Sequence, residues 1–174
     1  MEVNLAHFEK NIAYIVGLAE PPPDSTLKHL GDLSNDIQVA KQGLILWGFK
    51  EEEISVFDDC DDIIDFCGAE KTRIENLGKP TMVFLLYKGH STVENDCVHS
   101  INGINLEGFC RSIAKLDNVY VVAVFDCCMR QKSKNLIETN LDDIQNLICI
   151  YRDECLPMKS FSCSCEHEKT SNLT

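Results

Sequence analysis

Two apolar runs of this sequence end in residues that can perform chemistry. Tyr87-Lys-Gly-His90 ends the run that begins at Met82, and Phe125-Asp-Cys-Cys128 ends the run that begins at Val119. Both runs predict buried strands, and open α/β sheets build their sites at the carboxyl ends of such strands. A thiolate attacks as a nucleophile while an imidazole carries its proton, so a histidine and a cysteine at neighbouring strand ends predict thiol nucleophilic catalysis.

The composition predicts one globular domain in a reducing compartment. The chain has 174 residues, of which 44% are apolar and 25% charged, values typical of a soluble protein. No apolar run approaches the ~20 residues of a membrane helix, and the N-terminus lacks the pattern of a signal peptide. Several of the ten cysteines lie in apolar patterns, where free thiols pack as small hydrophobes. We therefore expect a cytoplasmic protein, and the net charge of −12 argues against a nucleic-acid partner.

Apolar periodicity predicts strands and helices in alternation. The predicted strands are Ile12–Leu18, Ile54–Phe57, Met82–His90, Val119–Asp126 and Leu147–Tyr151. The predicted helices run from Ser34 to a stop signal at Gly48, from Asp58 to Gly78, from Leu106 to Leu116 and from Leu136 to Gln145. This order predicts a three-layer α/β/α fold around a mostly parallel sheet of about five strands.

Two segments predict irregular structure. Ser91–Gly103 is polar and reads as a loop between a strand and a helix, and the chain beyond Pro157 is polar and cysteine-rich. We therefore expect a folded domain over residues 1–155 and an irregular tail over residues 156–174.

An ordered set of short motifs runs through the predicted elements. Ser34-Asn-Asp36 begins the first helix, Gly48-Phe49 follows it, and two strands end in Tyr87-Lys-Gly-His90 and Asp126-Cys-Cys128. In this order the motifs resemble the large-subunit part of the caspase-like cysteine peptidases, the group of caspases, metacaspases and paracaspases. The resemblance covers residues 13–151 and implies a caspase-like fold whose small-subunit part is missing or reduced.

The resemblance implies a role for each residue near the two strand ends. Cys128 matches the nucleophile and His90 the proton shuttle, and Cys127 is then a neighbour that does not attack. The backbone N–H of Cys128, with a second donor from the segment around Gly89, would form the oxyanion hole. The implied function is a cysteine endopeptidase that acts on peptide or protein substrates and needs no cofactor.

The resemblance also implies a substrate pocket. Asp36 and Asp126 match the acidic residues that hold a basic P1 side chain in metacaspases, which implies cleavage after Arg or Lys. Lys88 replaces a small residue beside this pocket, where its cation could pair with either aspartate. Such pairing would weaken the hold of the carboxylates on a basic substrate side chain.

Further departures from the family pattern favour a second hypothesis. Ser91 follows the histidine where the family has glycine, a residue that reaches backbone angles serine disfavours. Met129 follows the cysteine pair where the family has histidine or arginine. Under this alternative the chain is a catalytically degenerate caspase-like module that binds and regulates a caspase-like partner, or that forms a homodimer.

Each of these residues also has an ordinary structural interpretation. His90 could be a half-buried histidine, Cys128 a buried thiol, and Asp126 the N-cap of a helix. The acidic stretch Glu51–Asp65 is typical of a solvated face and a helix start, with a calcium site as an alternative. Zinc-ligand residue types also occur in the tail, but at a spacing unlike common fingers, so an unstructured tail is the first interpretation: Cys155, Cys163, Cys165, His167.

Overall fold

The computed structural model describes residues 5–21, 28–58, 60–94, 97–100, 103–131 and 144–151. Within these ranges the strands are β1 Lys10–Leu18, β2 Ile54–Phe57, β3 Thr81–Glu94, β4 Cys97–Ser100, β5 Val119–Gln131 and β6 Ile144–Tyr151. The α-helices of the same ranges are α1 Ser34–Trp47, α2 Cys60–Glu75 and α3 Leu106–Ile113.

The strands form one sheet in the order β2-β1-β3-β5-β6. Strand β1 pairs in parallel with β2 and β3, and β3 pairs in parallel with β5. Strand β6 runs antiparallel to β5, and the short β4 runs antiparallel to the end of β3. The predicted mostly parallel sheet is therefore confirmed.

Helices cover both faces of the sheet, as alternating apolar positions require. Along β3, Phe84 and Leu86 pack in a cluster with Leu44 of α1. The intervening residues of β3, such as Leu85, pack in a larger cluster with Phe66 of α2 and Phe109 of α3. Because the two clusters lie on opposite faces, the predicted three-layer α/β/α arrangement is confirmed.

Helix α1 is placed by two glycines. Gly17 of β1 brings the backbone close to the helix, since a Cβ built there would lie 2.8 Å from Cδ1 of Ile37. Gly48 ends the helix with φ 116°, and its N–H reaches the carbonyls of Leu44 and Ile45. This left-handed cap confirms the predicted stop signal. As a result, the first turn of α1 with Asp36 lies over the carboxyl end of β1.

Helix α2 is tied to β1 by a partly buried polar contact. The hydroxyl of Tyr14 donates to the carboxylate of Glu70, and Arg73 donates both to that carboxylate and to the Tyr14 oxygen. Burial, followed by the bond to Glu70, raises the pKa of Tyr14. Because Tyr14 is almost completely buried, this contact satisfies a hydroxyl that would otherwise be costly to bury.

The polar segment after His90 is not a loop, so the loop prediction for Ser91–Gly103 is wrong. Strand β3 continues to Glu94, and the chain returns as β4, with Ser91 opposite Ser100. Val98 packs in the larger core cluster, and its N–H donates to the buried carboxylate of Glu107 at 2.8 Å. A contact with α3 thus stabilises a hairpin whose polar composition resembles a loop.

The predictions for the C-terminal third have mixed outcomes. The predicted strand Leu147–Tyr151 is confirmed within the longer β6. Most of the predicted helix Leu136–Gln145 lies outside the described residues, but its last two residues, Ile144 and Gln145, belong to β6. The tail 156–174 also lies outside them. In the described ranges, no helix is both long and apolar enough to cross a membrane.

Candidate active site

His90 and Cys128 lie side by side on adjacent parallel strands. The ladder between β3 and β5 makes them Cα partners, and the same register pairs Lys88 with Asp126. Paired strands are about 4.8 Å apart, so the two backbones are close enough for their residues to act together. The structure therefore brings together the predicted nucleophile and the predicted proton shuttle.

The two strands do not end at these residues as the sequence predicted. Beyond His90 and Cys128 the ladder continues with three more pairs, because the hairpin of β3 and β4 extends the sheet. Gly89 lies between Leu18 of β1 and Cys127 of β5, and Cys128 also has a partner in β6. The predicted oxyanion donors thus lie inside the sheet, and their role stays a prediction.

The imidazole of His90 has a main-chain partner. Its Nε2 lies 2.8 Å from the carbonyl oxygen of Lys28, which precedes α1 in the chain. A carbonyl oxygen only accepts hydrogen bonds, so this contact assigns the proton of the neutral ring to Nε2. The lone pair of the neutral ring is then on Nδ1, where it can accept a proton. The sequence held no signal for this contact, because any residue supplies a main-chain carbonyl.

The backbone of His90 is held by a side chain on the face of the sheet opposite to its own imidazole. The hydroxyl of the fully buried Tyr87 donates to the main-chain oxygen of His90. Gly89 makes room for that contact, because a Cβ there would lie 2.7 Å from the Tyr87 hydroxyl and 2.9 Å from the Leu18 carbonyl oxygen. The glycine next to the histidine is therefore required by close packing rather than by a positive φ.

Lys88 lies between the two aspartates that the sequence predicted to line a substrate pocket. Its Nζ is 2.9 Å from a carboxylate oxygen of Asp36 and 2.8 Å from one of Asp126. The hydrogen bond to Asp126, together with the bond to Asp36, raises the pKa of Lys88 above its ordinary value. All three side chains are partly accessible to solvent. One cation and two carboxylates thus meet where α1 approaches β3 and β5.

The remaining predicted positions have distinct environments. Cys127 is buried in the larger core cluster, which separates it from the face that carries Lys88. Asp126 lies inside β5 and caps no helix, so the N-cap interpretation is wrong. Ser91 is buried within β3, and among the described residues only Asn118 is a non-glycine with positive φ. Ser91 therefore adopts the extended backbone of a strand.

The described residues contain no group of three or more His, Cys, Asp or Glu side chains that could hold a metal ion. Glu51 instead pairs with Lys41 at 2.7 Å, and Glu53 accepts from the N–H of Lys50 at 2.9 Å. The zinc-type residues of the tail lie outside the described ranges.

A separate cleft of 410 Å³ lies at the other end of the sheet. Residues that precede β3 and β5, Lys79 and Asn118, line it together with Ile74 of α2 and Lys115. It contains none of the predicted catalytic residues.

Comparison with protein-family models gives no match for this chain, and no curated protein is significantly similar to it.

Proposed function

We propose that this protein is a caspase-like cysteine endopeptidase in which Cys128 attacks the scissile carbonyl and His90 transfers the proton. The observation that carries the proposal is the register of β3 and β5, which makes these two residues direct neighbours. The bond from His90 to the Lys28 carbonyl adds support, because it orients the ring and determines which nitrogen is the base.

The proposed reaction proceeds through an acyl-enzyme. Nδ1 of His90 takes the thiol proton of Cys128, and the thiolate forms a bond to the carbonyl carbon of the substrate. When the C–N bond breaks, the imidazolium gives its proton to the leaving amine. Water then attacks the thioester with His90 as base, which releases the carboxylic acid and restores the thiol. In this proposal the backbone N–H groups of Gly89 and Cys128 stabilise the oxyanion, as the resemblance implies.

The proposed preference is for Arg or Lys at P1. Asp36 and Asp126 support it, because their carboxylates already converge on one alkylammonium group. We place this activity in the cytoplasm without a cofactor. Cys67, Cys110 and Cys127 pack among apolar side chains, as reduced cysteines commonly do, and this packing supports a reducing compartment.

The deciding experiment compares the wild type with Cys128→Ala and Cys127→Ala on fluorogenic peptides that end in Arg, Lys, Asp or Leu. We expect turnover by the wild type, its loss in Cys128→Ala and its retention in Cys127→Ala, because the Cys127 thiol belongs to the core. Labelling with a peptide that carries a thiol-reactive group, followed by mass spectrometry, should locate the adduct on Cys128. Equal turnover by the wild type and Cys128→Ala would reject the proposal.

A second candidate function is a non-catalytic caspase-like module that regulates a partner. It is favoured by the continued ladder around Gly89 and Cys128, because an N–H that is paired within a sheet has to leave its partner before it can bind an oxyanion. Lys88 also neutralises part of the charge that would attract a basic substrate. This candidate predicts no turnover for any peptide, together with a homodimer in analytical ultracentrifugation or a caspase-like protein recovered with the bound chain. A monomer that cleaves peptides would contradict it.

A further inference from the structure

We infer that Lys88 is an internal competitor for the cation subsite formed by Asp36 and Asp126, so that its ammonium group occupies the place of a basic P1 side chain. This inference rests on the proposed function and adds a specificity-determining residue to it. It predicts that selectivity for Arg and Lys substrates is suppressed while Lys88 is bound, and that it increases when Lys88 is removed.

The carboxylates of Asp36 and Asp126 already bind one alkylammonium group, that of Lys88. The two carboxylates come from different elements, α1 and β5, and both contact the same Nζ at 2.8–2.9 Å. A pair of carboxylates arranged around one cation is also suited to a guanidinium or to a second ammonium. If Lys88 is replaced, the backbones of Asp36 and Asp126 keep their places, because apolar packing holds α1 and the strand ladders hold β5.

The spacing along β3 and β5 matches the length of a basic side chain. Lys88 and Asp126 are Cα partners, and so are His90 and Cys128, two residues further along. Two residues of a strand span about 6.6 Å. A lysine or arginine side chain has a similar reach. A substrate whose scissile carbonyl lies at Cys128 could therefore place its P1 cation between Asp36 and Asp126.

Another cation can displace Lys88 from the two carboxylates. The side chains of Lys88, Asp36 and Asp126 are 31%, 47% and 35% exposed, so water screens their attraction. Partly exposed ion pairs of this kind change an equilibrium by up to about fivefold each. The competition is thus strong enough to reduce selectivity and weak enough for a substrate to overcome.

The test uses agmatine, an alkylguanidinium that imitates an arginine side chain, as the probe. Its dissociation constant is measured by NMR titration for the wild type, Lys88→Ser and Lys41→Ser. Lys41 is the matched control, because it is also a half-buried lysine in an ion pair, with Glu51 at 2.7 Å. We expect Lys88→Ser to bind agmatine about fivefold more tightly than the other two proteins. Adding Asp126→Asn to Lys88→Ser should abolish this gain.

Equal agmatine binding by the three proteins, including undetectable binding by all of them, would overturn the inference. This measurement needs no turnover, so its outcome is separate from that of the proposed peptidase activity. If the proteins are active, the ratio of kcat/KM for Arg over Leu peptides should rise about fivefold in Lys88→Ser and stay unchanged in Lys41→Ser. A circular dichroism melt of each variant verifies that all are folded.

Discussion

Nε2 of His90 lies 2.8 Å from the main-chain oxygen of Lys28, a residue 62 positions earlier in the chain. This relationship links the segment before α1 to the middle of β3. It assigns the Nε2 proton of the neutral imidazole and leaves Nδ1 as the base. The proposed proton transfer from Cys128 therefore depends on the main chain at Lys28 and not on the lysine side chain.

Two substitutions of His90 separate its proposed catalytic role from its structural one. The amide nitrogen of Gln reaches roughly as far as Nε2, so His90→Gln keeps a donor for the Lys28 carbonyl, whereas the shorter Asn does not. We expect both variants to lose turnover by about 10²–10⁴, because neither side chain is a base. Urea unfolding should show that only His90→Asn is less stable, by about 1 kcal/mol. Turnover by His90→Gln at the wild-type rate would show that His90 is not the base.

Gly89 should tolerate no side chain. The Cβ of Gly89→Ala would lie 2.9 Å from the backbone oxygen of Leu18, and β1 cannot move away without breaking its ladder. We expect a loss of about 1–3 kcal/mol in the free energy of unfolding, measured by urea titration. Gly43→Ala is the control, because no atom lies within 4 Å of its added Cβ. In the exposed part of α1 this change should stabilise the protein by about 0.5–1 kcal/mol.

Glu107 should be essential for the hairpin of β3 and β4. Its side chain is buried, accepts from the N–H of Val98 at 2.8 Å and pairs with Arg111 at 2.6 Å. We expect Glu107→Ala to cost about 2–3 kcal/mol in urea unfolding, because a buried N–H loses its acceptor. The exposed Glu51, which pairs with Lys41, supplies the comparison, and Glu51→Ala should leave stability nearly unchanged. Amide exchange at Val98 should accelerate only in Glu107→Ala.

Cys67 should react slowly with alkylating reagents. Burial raises the pKa of its thiol from 9.0 to about 11. Below pH 9 the reactive thiolate is therefore about 100-fold scarcer than in an ordinary cysteine. Mass spectrometry after iodoacetamide treatment should show labelling of Cys67 that keeps rising up to pH 11. In urea the same residue should reach half of its full rate near pH 9.0. Equal rates in the two states would show that burial does not control this thiol.

The same raised pKa has a consequence for stability. A group whose pKa is higher in the folded than in the unfolded protein stabilises the fold below the unfolded value. This contribution is lost as the pH rises from 9.0 to about 11. We expect the free energy of unfolding to decrease across that range, and Cys67→Ala to weaken the decrease. Urea titrations at pH 8, 9 and 10 measure it.

Local patterns in the sequence were sufficient for most of the architecture. Short apolar runs predicted most of the segments that become strands, because a buried strand needs apolar residues on both faces. Gly48 predicted the end of α1, because glycine readily adopts a positive φ. The strand Ile54–Phe57 has the predicted bounds. The polar hairpin of β3 and β4 could not be predicted in this way, since its stability comes from Glu107, which lies outside it in the chain.

The residue types of the candidate site were likewise readable from the sequence, including His90, Cys128 and the neighbouring Lys88. Only the tertiary structure decided their partners. The register of β3 and β5 placed His90 beside Cys128, and the approach of α1 brought Asp36 to the Lys88 ammonium that Asp126 also binds. The path of the chain before α1 brings the carbonyl oxygen of Lys28 to the His90 imidazole. Such contacts join residues far apart in sequence, so they depend on how the layers pack and not on any local pattern.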